Sequence, residues 1–208
     1  MIRIITVERE LGAGGGVIAA RLAERLGWKL WDQRLTEAIA RRLDCDARAV
    51  AAREERRDPA YYRLFKAFLH GSFEGNVETK GMRPVDADCV REFTEQVVRE
   101  VAEAGECVIV GRGSAYYLGA RGDAFHVFVY APYADKVRRL IATGKTPEEA
   151  RELAETVDRD RAAFIERYFH VEWPGRHRFH LMVNSSLGEE LAVQTILDTA
   201  ARFGEGRA

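Results

Sequence analysis

Cysteine and proline are scarce in this chain, long apolar runs are missing, and neither sign of charge is in excess. The three cysteines, Cys45, Cys89 and Cys107, are odd in number, widely spaced and without a C-x-x-C pair. That excludes a disulfide framework and a zinc cage and points to reduced thiols. No apolar run approaches the ~20 residues of a membrane span. The opening run Ile2 to Val7 is too short for a signal-peptide core, so a soluble cytoplasmic protein is expected. The 32 basic and 33 acidic residues nearly cancel, which removes any global field that would draw nucleic acid or an anionic membrane. Anion recognition, if present, must be local. With 47% hydrophobic residues over 208 positions, the chain can bury one full core, and a single domain over 1–208 is expected.

A more specific absence lies near the start. Ile2 to Ala20, IRIITVERELGAGGGVIAA, is an apolar β-run that breaks into Gly12, Gly14, Gly15 and Gly16 and continues as a helical pattern. Backbone N–H groups of such a turn converge on an anion, and the positive end of the helix dipole adds to their field. The stretch Gly12, Ala13, Gly14, Gly15, Gly16, Val17 is therefore the candidate phosphate cradle. A Walker-type loop also needs a Lys for the β/γ phosphates and a Ser or Thr for magnesium. Gly15 and Gly16 stand in their places.

Downstream, short apolar runs alternate with amphipathic ones. Ile18, Leu22 and Leu26 recur at helical spacing until Gly27, and Lys29 to Trp31 reads as a short strand followed by Asp32. Helices are expected over Gln33 to Leu43, Ala47 to Arg56 and Pro59 to Leu69. The aromatics of the last, Tyr61, Tyr62, Phe65 and Phe68, form a packing face. Gly71 to Pro84 is aperiodic, and Ala87 to Ala104 is again helical. Cys107 to Val110 is a fully apolar strand of the parallel-sheet kind, left through a second glycine turn, Gly111-Arg112-Gly113. A strand over Ala124 to Ala131 precedes a helix begun by Pro132.

Thr146-Pro147-Glu148-Glu149 is a capping box with Pro at the first helical position. Its helix runs past Asp158 toward Phe169 and is stopped by Trp173-Pro174-Gly175. Phe179 to Asn184 is a last strand, and Ser186-Leu187-Gly188-Glu189 a second capping box before a terminal helix. Strands separated by helices imply an α/β fold with a parallel sheet covered on both faces. The stretches of about 33–104 and 144–170 are longer than a crossover needs and read as inserts over the sheet's carboxyl edge, where α/β proteins collect ligands.

Four segments, in order, resemble the cytidylate kinase-like family of P-loop proteins: ITVERELGAGGGVIAARLAERLG (Ile5 to Gly27), VIVGRGSAYYLG (Val108 to Gly119), FVYAPYADKVRRL (Phe128 to Leu140) and HLMVNSSLGEELAVQTI (His180 to Ile196). The resemblance implies a P-loop NTPase-type three-layer α/β/α fold with a central parallel sheet. It also implies a helical monophosphate-binding insert at about 33–104 and a short lid at about 144–178. Members of that family usually lack the Walker Lys, so Gly15 is typical of the group. They commonly carry Ser before the Arg-Glu pair, where this chain has Glu8. True cytidylate kinases tend to read Gly-Arg-Asp at the later turn, and Gly113 removes that carboxylate.

What the resemblance implies for function is ATP-dependent phosphoryl transfer to a nucleoside monophosphate, with magnesium. The alternatives are a catalytically degenerate nucleotide-binding module and a plain anion-binding α/β protein. Arg9 is the candidate replacement for the missing Lys, a permanent charge with a bidentate fork; a salt bridge to Glu8 or Glu10 is the competing account. Arg112 matches the family's acceptor-phosphate arginine, and the turn that carries it could equally be structural. Arg91 resembles a second acceptor-side arginine or belongs to a solvated helix face. Asp32 and Arg34 lie where such kinases begin the monophosphate site. Asp158 and Arg161 look like lid residues, or an i,i+3 pair complete in itself. Arg138 and Arg139 match a family arginine pair, or a charged helix face. His177 and His180 have no third ligand beside them, so no metal site is expected there. Without a loop hydroxyl, Glu8 or Asp32 would have to help hold magnesium.

Overall fold

The computed structural model describes residues 1–32, 34, 35, 37–39, 42 and 87–206. The expected helices over 47–56 and 59–69, and the loop over 71–84, lie outside the described residues. Among the described residues, five strands carry the fold: β1 (Ile4–Arg9), β2 (Lys29–Trp31), β3 (Cys107–Val110), β4 (Ala124–Tyr130) and β5 (Leu181–Asn184). They form one sheet in the order β2-β3-β1-β4-β5, with every pairing parallel. The longer helices are α1 (Gly15–Leu26), α2 (Ala87–Ala104), α4 (Tyr133–Ala142), α5 (Pro147–Phe169) and α6 (Glu189–Glu205). A single turn, α3 (Ser114–Tyr117), follows the second glycine turn.

Alternation along β1 divides the core. Ile5 and Val7 pack with α1 and α6 through Ile18, Leu22, Val193 and Ile196. Ile4 faces the opposite side with Val98 and Val101 of α2 and Leu118. Burial on both faces explains why β1, β3 and β4 read as apolar runs rather than alternating ones. A smaller cluster seats Leu11, in the glycine turn itself, against Leu140 of α4 and Ala150, Ala154 and Val157 of α5. The α4–α5 hairpin is thereby fixed to the loop by apolar packing.

Local chemistry sets the element ends. The Thr146 hydroxyl accepts the Glu149 N–H at 3.2 Å, and the Glu149 carboxylate accepts the Thr146 N–H at 2.9 Å, so the expected capping box is complete. The second one is not formed. Asn184 Oδ1 instead accepts both the N–H and the hydroxyl of Ser186, Ser185–Leu187 make a 3-10 turn, and α6 begins after Gly188 with no side-chain cap. A nearer Asn acceptor outcompetes the helix for the Ser hydroxyl.

Away from the loop, His126 is buried beside its register partner Thr6, with 2.8 Å between His126 Nδ1 and Thr6 Oγ1. The ring stacks on His180 at 5.1 Å between centroids. Burial first, and the neighbouring His180 second, depress its pKa from 6.5 to about 4. Between those values the unfolded chain binds a proton that the folded chain refuses, so stability is full above pH 6.5 and falls as pH drops toward 4. The linked loss is roughly 3 kcal/mol. Urea unfolding at pH 7.5 and 4.5 should show it, with His126→Asn losing that part of the pH dependence. An unchanged slope in the variant would remove His126 as its source.

Candidate functional site

The strand order places β1 between β3 and β4, so the glycine turn after β1 and the one after β3 adjoin at the carboxyl edge of the sheet. This is the side on which open α/β sheets bind ligands. The first turn delivers α1 with Gly14 as its N-cap, without a capping side chain and without an acidic residue in the first turn. Its first amides therefore have no protein acceptor of the usual kind, which is the condition for anion binding at a helix start. Gly12, Ala13, Gly15 and Gly16 are buried, Gly14 is half-buried and Val17 is exposed.

In Walker spacing Gly-x-x-x-x-Gly-Lys-Ser/Thr, Arg9 occupies the first glycine position and Gly15 the lysine position. The two exchanges are sterically linked. A Cβ on Gly15 would stand 2.6 Å from Arg9 Cβ and 2.9 Å from its Cγ. At the other end of the same side chain, a Cβ on Gly111 would lie 2.0 Å from Arg9 Nη1. Arg9, only 4% exposed, thus runs from one glycine turn to the other through space that side chains at 15 and 111 would fill.

Arg112 completes the second turn. Gly111, Arg112 and Gly113 are three successive residues in the left-handed region, with φ of 62°, 61° and 67°. For a non-glycine residue that conformation carries strain, which persists only where surrounding structure enforces it. Its fully buried side chain lies 3.9 Å from Asp32 Oδ1, at the end of β2. Arg161 arrives from α5, donating to the Arg9 carbonyl at 2.9 Å and to Asp158 Oδ1 at 3.2 Å.

Three buried arginines in one place repel. Burial first and Arg9 second lower Arg112 to about 10 and Arg161 to about 9. Such a cluster favours an anion, because a bound oxyanion offsets what the arginines impose on each other. Glu8 lies among them, buried. Burial raises its pKa against the opposing pull of Arg9, Arg161 and Arg112.

Asp158 does more than pair with Arg161. Its Oδ1 also accepts the Leu11 N–H at 2.8 Å, and its Oδ2 accepts from Lys136 Nζ at 2.8 Å. Lys136 reaches Glu10 at 3.3 Å as well. Burial alone would lower the Lys136 pKa, but the bonds to Asp158 and Glu10 outweigh it and the net shift is upward. Arg139 braces the other flank, donating to the Gly12 carbonyl, to Ser185 Oγ and to the Ser185 carbonyl. Its neighbour Arg138 is a surface residue paired with Asp135.

Among the residues named from sequence, the structure therefore brings together Gly12 to Gly16, Arg9, Arg112, Asp32, Asp158 and Arg161. Arg91 bonds Glu95 one turn along α2 at 3.3 Å, with Glu92 at 3.7 Å. Arg34 is exposed on the helix after β2, while Asp32 is buried. His180, itself exposed, packs against the rings of His126, Phe125 and Phe203. Lys136 and Ser185 read as ordinary polar residues in the sequence, and Glu10 only as a salt-bridge partner for Arg9, until the α4–α5 hairpin and the β5 turn are folded.

The described residues of the loop fit magnesium poorly. Gly16 offers no hydroxyl, Asp32 faces Arg112, and Glu8 is enclosed by arginines. Among the described residues, no group of three or more His, Cys, Asp or Glu could hold a metal ion. No helix among them is long and apolar enough to cross a membrane.

The likeness to known proteins follows this geometry. No curated protein sequence matches the chain. Among solved structures, an uncharacterized protein from Eubacterium ventriosum aligns over 97% of this chain and 99% of its own, at TM-score 0.67 and 17% identity. Shikimate kinase from Acinetobacter baumannii, solved with shikimate, aligns over 95% and 92% at TM-score 0.52 and 16% identity. Shikimate kinase from Bacteroides thetaiotaomicron aligns over 97% and 96% at TM-score 0.50 and 16% identity. At such identities these neighbours establish the kinase-type P-loop fold alone. The family model described as cytidylate kinase-like spans residues 4–187 and takes in both glycine turns, the α4–α5 hairpin and the turn after β5; the chain belongs to the cytidylate kinase-like family.

Proposed function

We propose that this protein binds ATP on its glycine loop and transfers a phosphoryl group to a nucleoside monophosphate. The observation that carries the proposal is Arg9. It fills the space of a side chain at position 15 and carries a guanidinium between the two glycine turns, restoring to a Walker-spaced loop the cation that Gly15 omits. When bound, ATP supplies the phosphoryl group. Amides of Gly12 to Val17 hold the donor phosphates, and Arg9 compensates their charge. Arg112 and Asp32, at the ends of β3 and β2, hold and orient the acceptor. Arg161 and Asp158 keep α5 against the loop, excluding water from it. Phosphoryl transfer needs little beyond such positioning and charge compensation.

Gly16, which offers no hydroxyl where a Walker-type loop holds magnesium, favours a second reading, a nucleotide-binding module without turnover. A coupled assay across a panel of nucleoside monophosphates, paired with calorimetry for ATP and CMP, separates the two. Turnover above background with at least one acceptor is expected. Tight binding with no transfer would favour the module, and no nucleotide binding would end both readings.

A further inference from the structure

The arginine cluster holds a carboxylate that a phosphate site would not be expected to tolerate. Glu8 is 5% exposed and points to the sheet face that carries Thr6 and His126, beneath α3. Around it stand Arg9 from β1, Arg112 from the turn after β3 and Arg161 from α5, with the Ala115 N–H bonding the carboxylate from α3. The hydroxyls of Tyr116 and Tyr117 face it from the same turn. Beyond that ring, Asp32 faces Arg112, Asp158 holds Arg161, and Arg91 and Glu95 of α2 approach Tyr117. Among the described residues Glu8 Oε1 has no hydrogen-bond partner although it is shut off from solvent. A buried acceptor left without a donor is costly.

We propose that Glu8 is an internal counter-anion of the arginine cluster, occupying in the ligand-free chain the charge that a phosphate or sulfate group takes when it binds. The two anions compete for the same arginines. An incoming dianion placed beside an ionised Glu8 is repelled at short range in a site shielded from water, so binding goes with neutralisation of the carboxylate. The balance is simple: one proton passes from solvent to Glu8 as one oxyanion enters, and no covalent bond changes. A neutral Glu8 can then donate from its hydroxyl to the bound anion. The raised pKa of Glu8 agrees with this direction. Affinity at this site is thereby tied to pH, and Glu8 is a specificity residue that disfavours highly charged ligands as pH rises. The inference rests on the same anion-binding reading of the arginines as the proposed function, but not on catalysis.

Sulfate is the suitable probe, because it stays a dianion throughout the neutral range and any proton taken up belongs to the protein. Calorimetry of sulfate binding to the full chain, in two buffers of different ionisation enthalpy, should show uptake approaching one proton and affinity that weakens from pH 6 to 8. In Glu8→Gln the uptake should vanish and affinity at pH 8 should rise about tenfold or more. Weaker or unchanged binding in the variant would overturn the proposal, as would wild-type binding without proton uptake or no sulfate binding by either protein. Should the variant fail to fold, the wild-type proton count decides alone. Failure of the kinase reading would show only in the phosphotransfer assay and leave these results intact.

Discussion

Asp158→Ala should lower the unfolding free energy by roughly 4 kcal/mol, near the upper range for a single substitution. One carboxylate answers three donors at once: the Leu11 N–H, Lys136 Nζ and Arg161 Nη1, at 2.8, 2.8 and 3.2 Å. Lys136 and Arg161 are 8% and 5% exposed, so neither can recover its lost partner from bulk water without moving. The Leu11 amide would be orphaned beside them. Glu10 still faces Lys136 at 3.3 Å and keeps the loss from growing further. Asp158→Asn should lie between the two, since its carbonyl oxygen can still accept the loop amide while the charge is gone. Urea denaturation of the three proteins measures this. A loss below about 1 kcal/mol for the alanine variant, the size of an exposed pair, would mean that the contacts are incidental.

The second large effect is a reciprocal one. Gly15→Ala should destabilise by roughly 3 kcal/mol, because its Cβ would come to 2.6 Å from Arg9 Cβ in a packed site. Adding Arg9→Gly should relieve about 2 kcal/mol of that penalty, a coupling typical of residues that share one space. The same logic extends to lysine: Gly15→Lys alone should fail to give a stable protein, whereas Arg9→Gly with Gly15→Lys should fold and bind ATP. A four-member unfolding cycle built on Gly15→Ala checks the sign. Additivity within about 0.5 kcal/mol would show that Arg9 and position 15 do not compete.

Much of this architecture was legible beforehand. β2, α2 and β3 fall on the ranges expected from apolar periodicity, and the Thr146 capping box forms both of its bonds. These features depend on neighbours within one turn or one strand, which is where pattern reading has purchase. The role of Lys136 depends on a distant residue. Lys136 looked like any charged residue on an amphipathic helix, and only the return of α5, 22 positions later, buries it against Asp158. The sequence leaves Arg91 as either an acceptor-side arginine or part of a solvated helix face, and it pairs with Glu95 on its own helix. From sequence, Asp158 and Arg161 fit either lid residues or a pair complete in itself. They do pair, and the same two side chains also grip the backbone of the glycine loop. Ser186 fitted a capping motif that a closer Asn then displaced.

The shared space of Arg9 and position 15 also constrains the history open to this loop. A descendant that regained lysine at 15 first would collide with Arg9, and one that lost Arg9 first would have no cation between its glycine turns. On these contacts each single step carries a cost that the paired change avoids, so exchange between the arginine form and the lysine form is expected to favour a double change. Once a lineage holds the cation on the strand, it is held there by geometry, whatever ligand it comes to serve.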